Sequence, residues 1–193
     1  MESTPKHGPG DRAILVAVQL PGVSDPEMHS SLDELGRLAK TLGLRAVARV
    51  TQMRPNSQAA TVLGAGKLAA LAQLTGGPGV VPAGASKRQT GSLPNTEVPE
   101  FVPPLEIETD DETLDALDGA DGLDGAEPAG VVIFDHDLTP SQIRNLEGAT
   151  GAEVLDRTSV ILAIFQRHAR TREARLQVEI ARLTYLAPRL RAS

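Results

Sequence analysis

The feature that most constrains this chain is the run Ala13-Ile-Leu-Val-Ala-Val-Gln-Leu20, apolar at every position but one. It is strand-length and rich in β-branched residues. Unbroken apolarity without alternation predicts a strand covered on both faces, as in a parallel sheet between two helical layers. Pro21-Gly22 breaks the run, and Ser24-Asp25-Pro26-Glu27 then reads as a helix start, with a side-chain cap, proline in the first turn and acids at the positive end of the dipole. Met28, Leu32, Leu35, Leu38, Ala39 and Leu42 recur at spacings that place them on one inward face, and Gly43 supplies a helix stop.

The same alternation continues. Ala46-Val-Ala-Arg-Val-Thr-Gln52 predicts a second strand, a polar turn follows at Arg54-Pro55-Asn56, and Leu68-Ala-Ala-Leu-Ala-Gln-Leu74 predicts a short helix. Gly130-Val-Val-Ile-Phe134 predicts a third strand, Thr139-Pro140 a capped helix start with Ile143 and Leu146 inward, and Gly151-Ala-Glu-Val-Leu155 a fourth strand. Strands alternating with helices imply an α/β fold: a small, about four-stranded, mainly parallel sheet flanked by helices. From Thr158 one long helix is expected. Its first turns carry Ile161, Leu162, Ile164 and Phe165 inward, and Leu176, Ile180, Leu183 and Ala187 form a heptad-like stripe, with Pro188 ending or kinking it near Ala187.

Charge divides the chain more sharply than hydropathy does. The net charge is −6, yet residues 1–75 are mildly positive, residues 76–143 strongly negative and residues 144–193 positive again. Twelve acids lie between Glu97 and Glu127, and no basic residue occurs between Arg88 and Arg144. Residues 76–128 are rich in proline and glycine and lack apolar periodicity. They are expected to be a disordered insertion in a domain spanning 11–157, after a disordered tail at 1–10. The composition lacks cysteine, which excludes disulfides and thiolate metal sites, and no apolar run reaches the ~20 residues of a membrane span. With no signal peptide legible at Met1–Asp11, a cytoplasmic location is expected.

Three groups of residues could carry chemistry. Gly64, Gly66 and Lys67 precede a helix, where backbone N–H groups, the helix dipole and an ammonium could meet a phosphate. The stretch is not a Walker A loop, because Thr61 stands where its first glycine belongs and Leu68 where its Mg²⁺-binding hydroxyl belongs; a tight turn is the commoner use of such a sequence. Asp135, His136 and Asp137 follow a strand, where α/β folds bind ligands, but no nucleophile or further ligand is legible nearby, and good turn chemistry beside a Thr-Pro helix start is the preferred reading. No catalytic residue, cofactor-binding residue or metal ligand is assigned. Finally, eight arginines face three acids between Asp156 and Ser193. Among them Arg167, Arg170, Arg172, Arg175, Arg182, Arg189 and Arg191 are candidate contacts to the phosphates of a polyanion. Their bland alternative is a solvated face with pairs such as Arg175 to Glu179.

Six stretches in order resemble one family: Ala13 to Pro21, Ser31-Leu-Asp-Glu-Leu35, Val62-Leu-Gly-Ala-Gly-Lys-Leu68, Phe134-Asp-His-Asp-Leu-Thr-Pro-Ser-Gln-Ile-Arg-Asn-Leu-Glu147, Asp156-Arg-Thr158, and Ala169-Arg-Thr-Arg-Glu-Ala-Arg-Leu-Gln-Val-Glu179 continuing to Leu190. They look like the N-terminal region of HflX-type ribosome-associated GTPases. The resemblance implies a regulatory, ribosome-binding module placed before a nucleotide-binding domain, with the long helix as the first of a helical hairpin linker. It implies the 50S subunit and its rRNA as partners, together with a second linker helix and a G domain of the same protein. GTP and Mg²⁺ would belong to that G domain, and no cofactor to this stretch. Ala65 stands where the family often has lysine, and the acidic insertion is unusual. The alternatives are a free-standing nucleotide-binding α/β domain and an interaction module that dimerises through the long helix.

Overall fold

The computed structural model describes residues 11–81, 117–118 and 127–191. Its elements are β1 (Arg12–Gln19), α1 (Asp25–Leu42), β2 (Arg45–Met53), α2 (Ala65–Thr75), β3 (Leu117–Asp118), β4 (Val131–Phe134), α3 (Pro140–Thr150), β5 (Glu153–Asp156), α4 (Arg157–His168) and α5 (Arg172–Arg191). The strands form one sheet in the order β3-β2-β1-β4-β5. β2, β1, β4 and β5 are mutually parallel, and β3 lies antiparallel on the β2 edge. The expected parallel four-stranded sheet is therefore present.

β1 explains its own apolarity. Ala13, Leu15 and Ala17 enter one core with Leu32 and Leu35 of α1 and Val160 of α4. Ile14 and Val16 enter the other with Leu71 of α2 and Leu146 of α3. A central strand with both faces covered has no solvent-facing positions to fill with polar residues. β4 repeats the arrangement, with all four residues buried.

The helix starts follow their sequence signals. Ser24 donates from both N–H and Oγ to Glu27 Oε2 at 2.8 Å, and these bonds hold the Glu27 carboxyl below its ordinary pKa. Thr139 and Gln142 form the reciprocal pair at the start of α3: Thr139 N–H donates to Gln142 Oε1 at 2.9 Å, and Gln142 N–H to Thr139 Oγ1 at 3.3 Å.

Four expectations change. The insertion expected at 76–128 begins later on its N-terminal side. Gly76 ends α2 in the left-handed conformation (φ 78°), and a Cβ on Gly77 would stand 2.2 Å from the Thr150 carbonyl carbon. Gly79 N–H also donates to Ala149 O at 2.9 Å, so residues 76–81 bind the end of α3. Leu117–Asp118, inside the acidic stretch, form β3 against Arg49 and Val50. The disorder expected for 82–116, for 119–126 and for the tail at 1–10 falls outside the described residues.

The expected single helix from Thr158 is two helices. α4 stops at His168, Ala169 adopts an extended conformation (φ −67°, ψ 103°), and Thr171 Oγ1 accepts the Ala174 N–H at 3.1 Å. A threonine directly before a run of good helix formers provides a new N-terminal cap. Helical periodicity alone could not reveal that local hydrogen bond. α5 then returns along α4, placing the Tyr185 hydroxyl on the Asp156 carboxylate at the start of α4. α5 also continues through Pro188 to Arg191 instead of ending near Ala187.

Candidate nucleic-acid interface

Gly64 is the N-cap of α2, and its N–H already donates to Gln52 Oε1 at 2.8 Å. A phosphate there would have to displace that side-chain amide. Gly66 lies in the first turn of α2. Lys67 is only 7% exposed, and burial pushes its ammonium pKa below the ordinary value. The preceding loop is held rigidly. Gln142 donates to the carbonyls of Ser57 (2.7 Å) and Ala59 (2.9 Å), Asn145 to Ala60 O (3.0 Å), and Arg54 Nε to Val62 O (3.0 Å). These bonds maintain Val62, fully buried, at φ 64°, a conformation that a β-branched residue rarely adopts. Gln142 and Asn145 were visible in the sequence as amides three apart on one helix face, but their backbone acceptors lie over eighty residues away.

At the strand ends, the structure brings Asp135, His136 and Asp137 into one network with Asp156. Arg157 donates to Asp135 Oδ1 (2.8 Å) and Ser31 Oγ (3.0 Å) and pairs with Glu34. The Glu34 hydrogen bond is the largest influence raising the guanidinium pKa. Thr158 donates to Asp137 Oδ1 at 2.7 Å. Asp156 is wholly buried. Its carboxylate accepts Ser159 N–H (2.8 Å), Leu138 N–H (3.3 Å) and the Tyr185 hydroxyl. His136 sits edge-on to Phe134, and burial lowers its pKa against the opposing pull of Asp135, Asp137 and Asp156. The network joins α1, β4, β5, α4 and α5 and spends its carboxylates on internal partners. Among the described residues, no group of three or more His, Asp and Glu side chains is arranged to hold a metal ion. Sequence reasoning missed Asp156, Arg157 and Tyr185 as a unit, because Asp156 and Tyr185, 29 positions apart, meet only once α5 folds back.

The arginines gather differently. Arg167 Nη1 donates to Leu42 O at 2.8 Å, capping the C-terminus of α1. Arg175 Nε donates to Ala169 O at 3.1 Å, folding its guanidinium over the elbow between α4 and α5. Arg170 and Arg172 are exposed on the same elbow. Arg182 lies along α5 with Glu179 at 3.7 Å, so the expected Arg175–Glu179 pair is replaced by Arg182–Glu179. Arg189 and Arg191 fall in the final turns of α5, and their side chains lie outside the described residues. The structure thus concentrates Arg167, Arg170, Arg172 and Arg175 at one elbow rather than spreading all the arginines along one face.

The parallel α/β layer followed by a helical hairpin is a fold that this chain shares with solved GTP-binding proteins. A GTP-binding protein from the archaeon Sulfolobus solfataricus, solved with GDP, superposes with a TM-score of 0.52 over 94% of this chain and 38% of its own, at 17% identity. That likeness speaks for the fold alone. A family profile described as GTP-binding GTPase N-terminal matches residues 29–80 and 121–166, and one described as GTP-binding GTPase Middle Region matches 168–193. GTPase HflX of Gluconacetobacter diazotrophicus is 50% identical over the whole of this chain and 39% of its own length. GTPase HflX of Caldanaerobacter subterraneus is 32% identical over 93% of this chain and 30% of its own. The chain belongs to the HflX family of GTP-binding GTPases and matches that family's N-terminal and middle regions. It spans about two fifths or less of the length of these relatives. At the two candidate loops the Gly64 N–H is taken by Gln52, and Asp135 and Asp137 are taken by Arg157 and Thr158. No helix among them is long and apolar enough to cross a membrane.

Proposed function

We propose that this chain is the ribosome-binding and regulatory portion of an HflX-type GTPase, that it acts in the cytoplasm, and that it touches the rRNA of the 50S subunit through the elbow between α4 and α5. The observation that carries this reading is the set of exposed guanidinium groups at Arg167, Arg170, Arg172 and Arg175. Two of them are fixed by carbonyls (Leu42 O and Ala169 O) that leave their charge uncompensated. Arginine presents a planar fork of donors suited to phosphate oxygens, and such contacts release counterions and so depend steeply on salt. The scarcity of aromatic side chains, 2% of the residues, favours backbone contact over reading of unstacked bases. GTP binding and hydrolysis with Mg²⁺ are assigned to the further length present in the relatives, and Gly64, Gly66 and Lys67 rank behind the elbow as phosphate contacts.

Purified chain should co-sediment with 50S subunits at low salt and be released steeply as salt rises. Failure to pellet, or pelleting indifferent to salt, would overturn the reading. A second reading concerns α5. Leu176, Ile180 and Leu183 are 55–64% exposed on one stripe of the helix, a surface suited to an antiparallel linker helix of the same protein. Sedimentation equilibrium separates this from self-pairing: a stable dimer of the chain would show that the stripe pairs with its own copy.

A further inference from the structure

The paired and unpaired cations are segregated in space. The described ion pairs, Arg49 with Asp33, Arg157 with Glu34 and Asp135, and Arg182 with Glu179, lie along the sheet, at its C-terminal edge and midway along α5. At the opposite end, where β1 and β2 begin, the pattern reverses. The Arg167 guanidinium on Leu42 O joins the elbow to the end of α1, so that Lys40, in the last turn of α1, and Arg45, the first residue of β2, lie two and three residues from the contact point. Both are exposed, and neither is paired with a carboxylate among the described residues.

A second, independent observation lies at the same rim. Arg12 stands directly beside Arg45 in the parallel register of β1 and β2. Two cations side by side on adjacent strands repel each other. The Arg12 Nε is nevertheless buried and makes no hydrogen bond with the described residues, although a buried guanidinium nitrogen ordinarily finds an acceptor. An anion at this rim would answer both the repulsion and the missing acceptor. The carboxylates of this end are Glu173 in the first turn of α5, Asp11 at the foot of β1, whose carbonyl accepts the Arg45 N–H at 2.9 Å, and Glu147 and Glu153, which line one cavity with Asp11 on the β4–β5 side of β1; Arg45 lies on the other side of β1, on β2.

We infer that the RNA-contacting surface does not end at the elbow but crosses onto the α/β layer, with Lys40 and Arg45 as phosphate contacts and Arg12 behind them. The inference rests on the ribosome reading above but is separable from it. It requires that residues from α1 and β2, remote in sequence from the arginine-rich segment, carry part of the electrostatic attachment.

The test is a salt series of binding to purified 50S subunits for the unaltered chain and for the double variant Lys40→Gln with Arg45→Gln. Both side chains are exposed, so the fold should survive, which circular dichroism checks. Loss of two phosphate contacts should lower the slope of log affinity against log salt by about 1.5, and weaken binding roughly tenfold near 0.1 M salt. The charge-preserving pair Lys40→Arg with Arg45→Lys should restore both quantities. An unchanged slope and affinity in the glutamine variant would overturn the inference while leaving the elbow reading intact. Absence of 50S binding by the unaltered chain would overturn both.

Discussion

The α/β layer and the α4–α5 hairpin lie next to each other, but they bury apolar side chains very differently. In the layer, Ile14, Leu15, Leu35, Leu71, Ile133 and Leu146 are essentially inaccessible, each in one of two cores on either side of the sheet. On the hairpin, Phe165, Leu176, Ile180 and Leu183 are more than half exposed. Two helices that each carry a stripe of apolar residues thus have opposite fates: α1 spends its apolar face inside the molecule, and α5 keeps its stripe on the outside. The layer is an internally satisfied unit. α4 is held to it by Val160, Ala163 and Ile164, packed into the α1 side of the core, and by Arg157 and Arg167, whereas α5 is tied through Tyr185 to Asp156 and offers its apolar stripe to something else.

The largest effect that tests this contrast comes from the core. Leu35→Ala should cost about 2–5 kcal/mol in urea unfolding, because the site is enclosed and cannot collapse fully. A cost below about 1 kcal/mol would mean that the layer is less tightly packed than its burial shows. Gly77→Ala should follow, at about 1–3 kcal/mol, since its Cβ would meet the backbone of Thr150 rather than a movable side chain. Stability left unchanged would show that residues 76–81 are not held against α3.

The ties between the two regions come next. Tyr185→Phe removes a hydrogen bond to a buried carboxylate that keeps two backbone donors, and it should cost about 1.5 kcal/mol while speeding amide exchange throughout α5. Exchange in α5 that stays unaltered would mean that the hairpin is held by something other than this bond. His136 gives a smaller effect with a definite sign. Burial depresses its pKa below 6.5 in the folded chain, so below that pH the unfolded chain binds more protons and stability falls as pH falls. The slope should be a fraction of the about 1.4 kcal/mol per pH unit that one whole proton gives. His136→Asn should flatten that part of the pH–stability curve, and an undiminished slope would assign the acid sensitivity elsewhere. Smallest of all, Ile180→Ala should change stability by less than about 0.5 kcal/mol, because its side chain is 64% exposed. A core-like loss there would erase the contrast between the regions.

Much of the layer was legible because its signals are local and its periodicities are set by burial. Ala13 to Leu20 is apolar throughout because β1 is covered twice, and Ser24, Pro26 and Thr139 mark helix starts through bonds that span three residues. The elbow was not legible, since Ala169-Arg170-Thr171 contains neither proline nor glycine and the break depends on Thr171 capping a new helix. β3 escaped for the opposite reason: two residues within an acidic, aperiodic stretch carry no strand pattern of their own, and only the β2 edge defines them. For the candidate site, composition revealed the arginine excess but not its distribution. Arg157 is absorbed into the Asp135–Glu34 network, Arg182 pairs with Glu179, and Lys40 and Arg45 join the elbow only because Arg167 reaches across to α1.

The central claim, that the basic elbow and the adjoining Lys40–Arg45 rim face a ribosomal partner while the α2–α3 face of the layer does not, is tested most directly by amide hydrogen exchange of the chain with and without 50S subunits. Protection should rise around 166–176, at the elbow, and in the Lys40–Arg45 segment, and stay unchanged in α2 and α3. Protection gained instead on the α2–α3 face, or none gained despite saturating subunits, would contradict it.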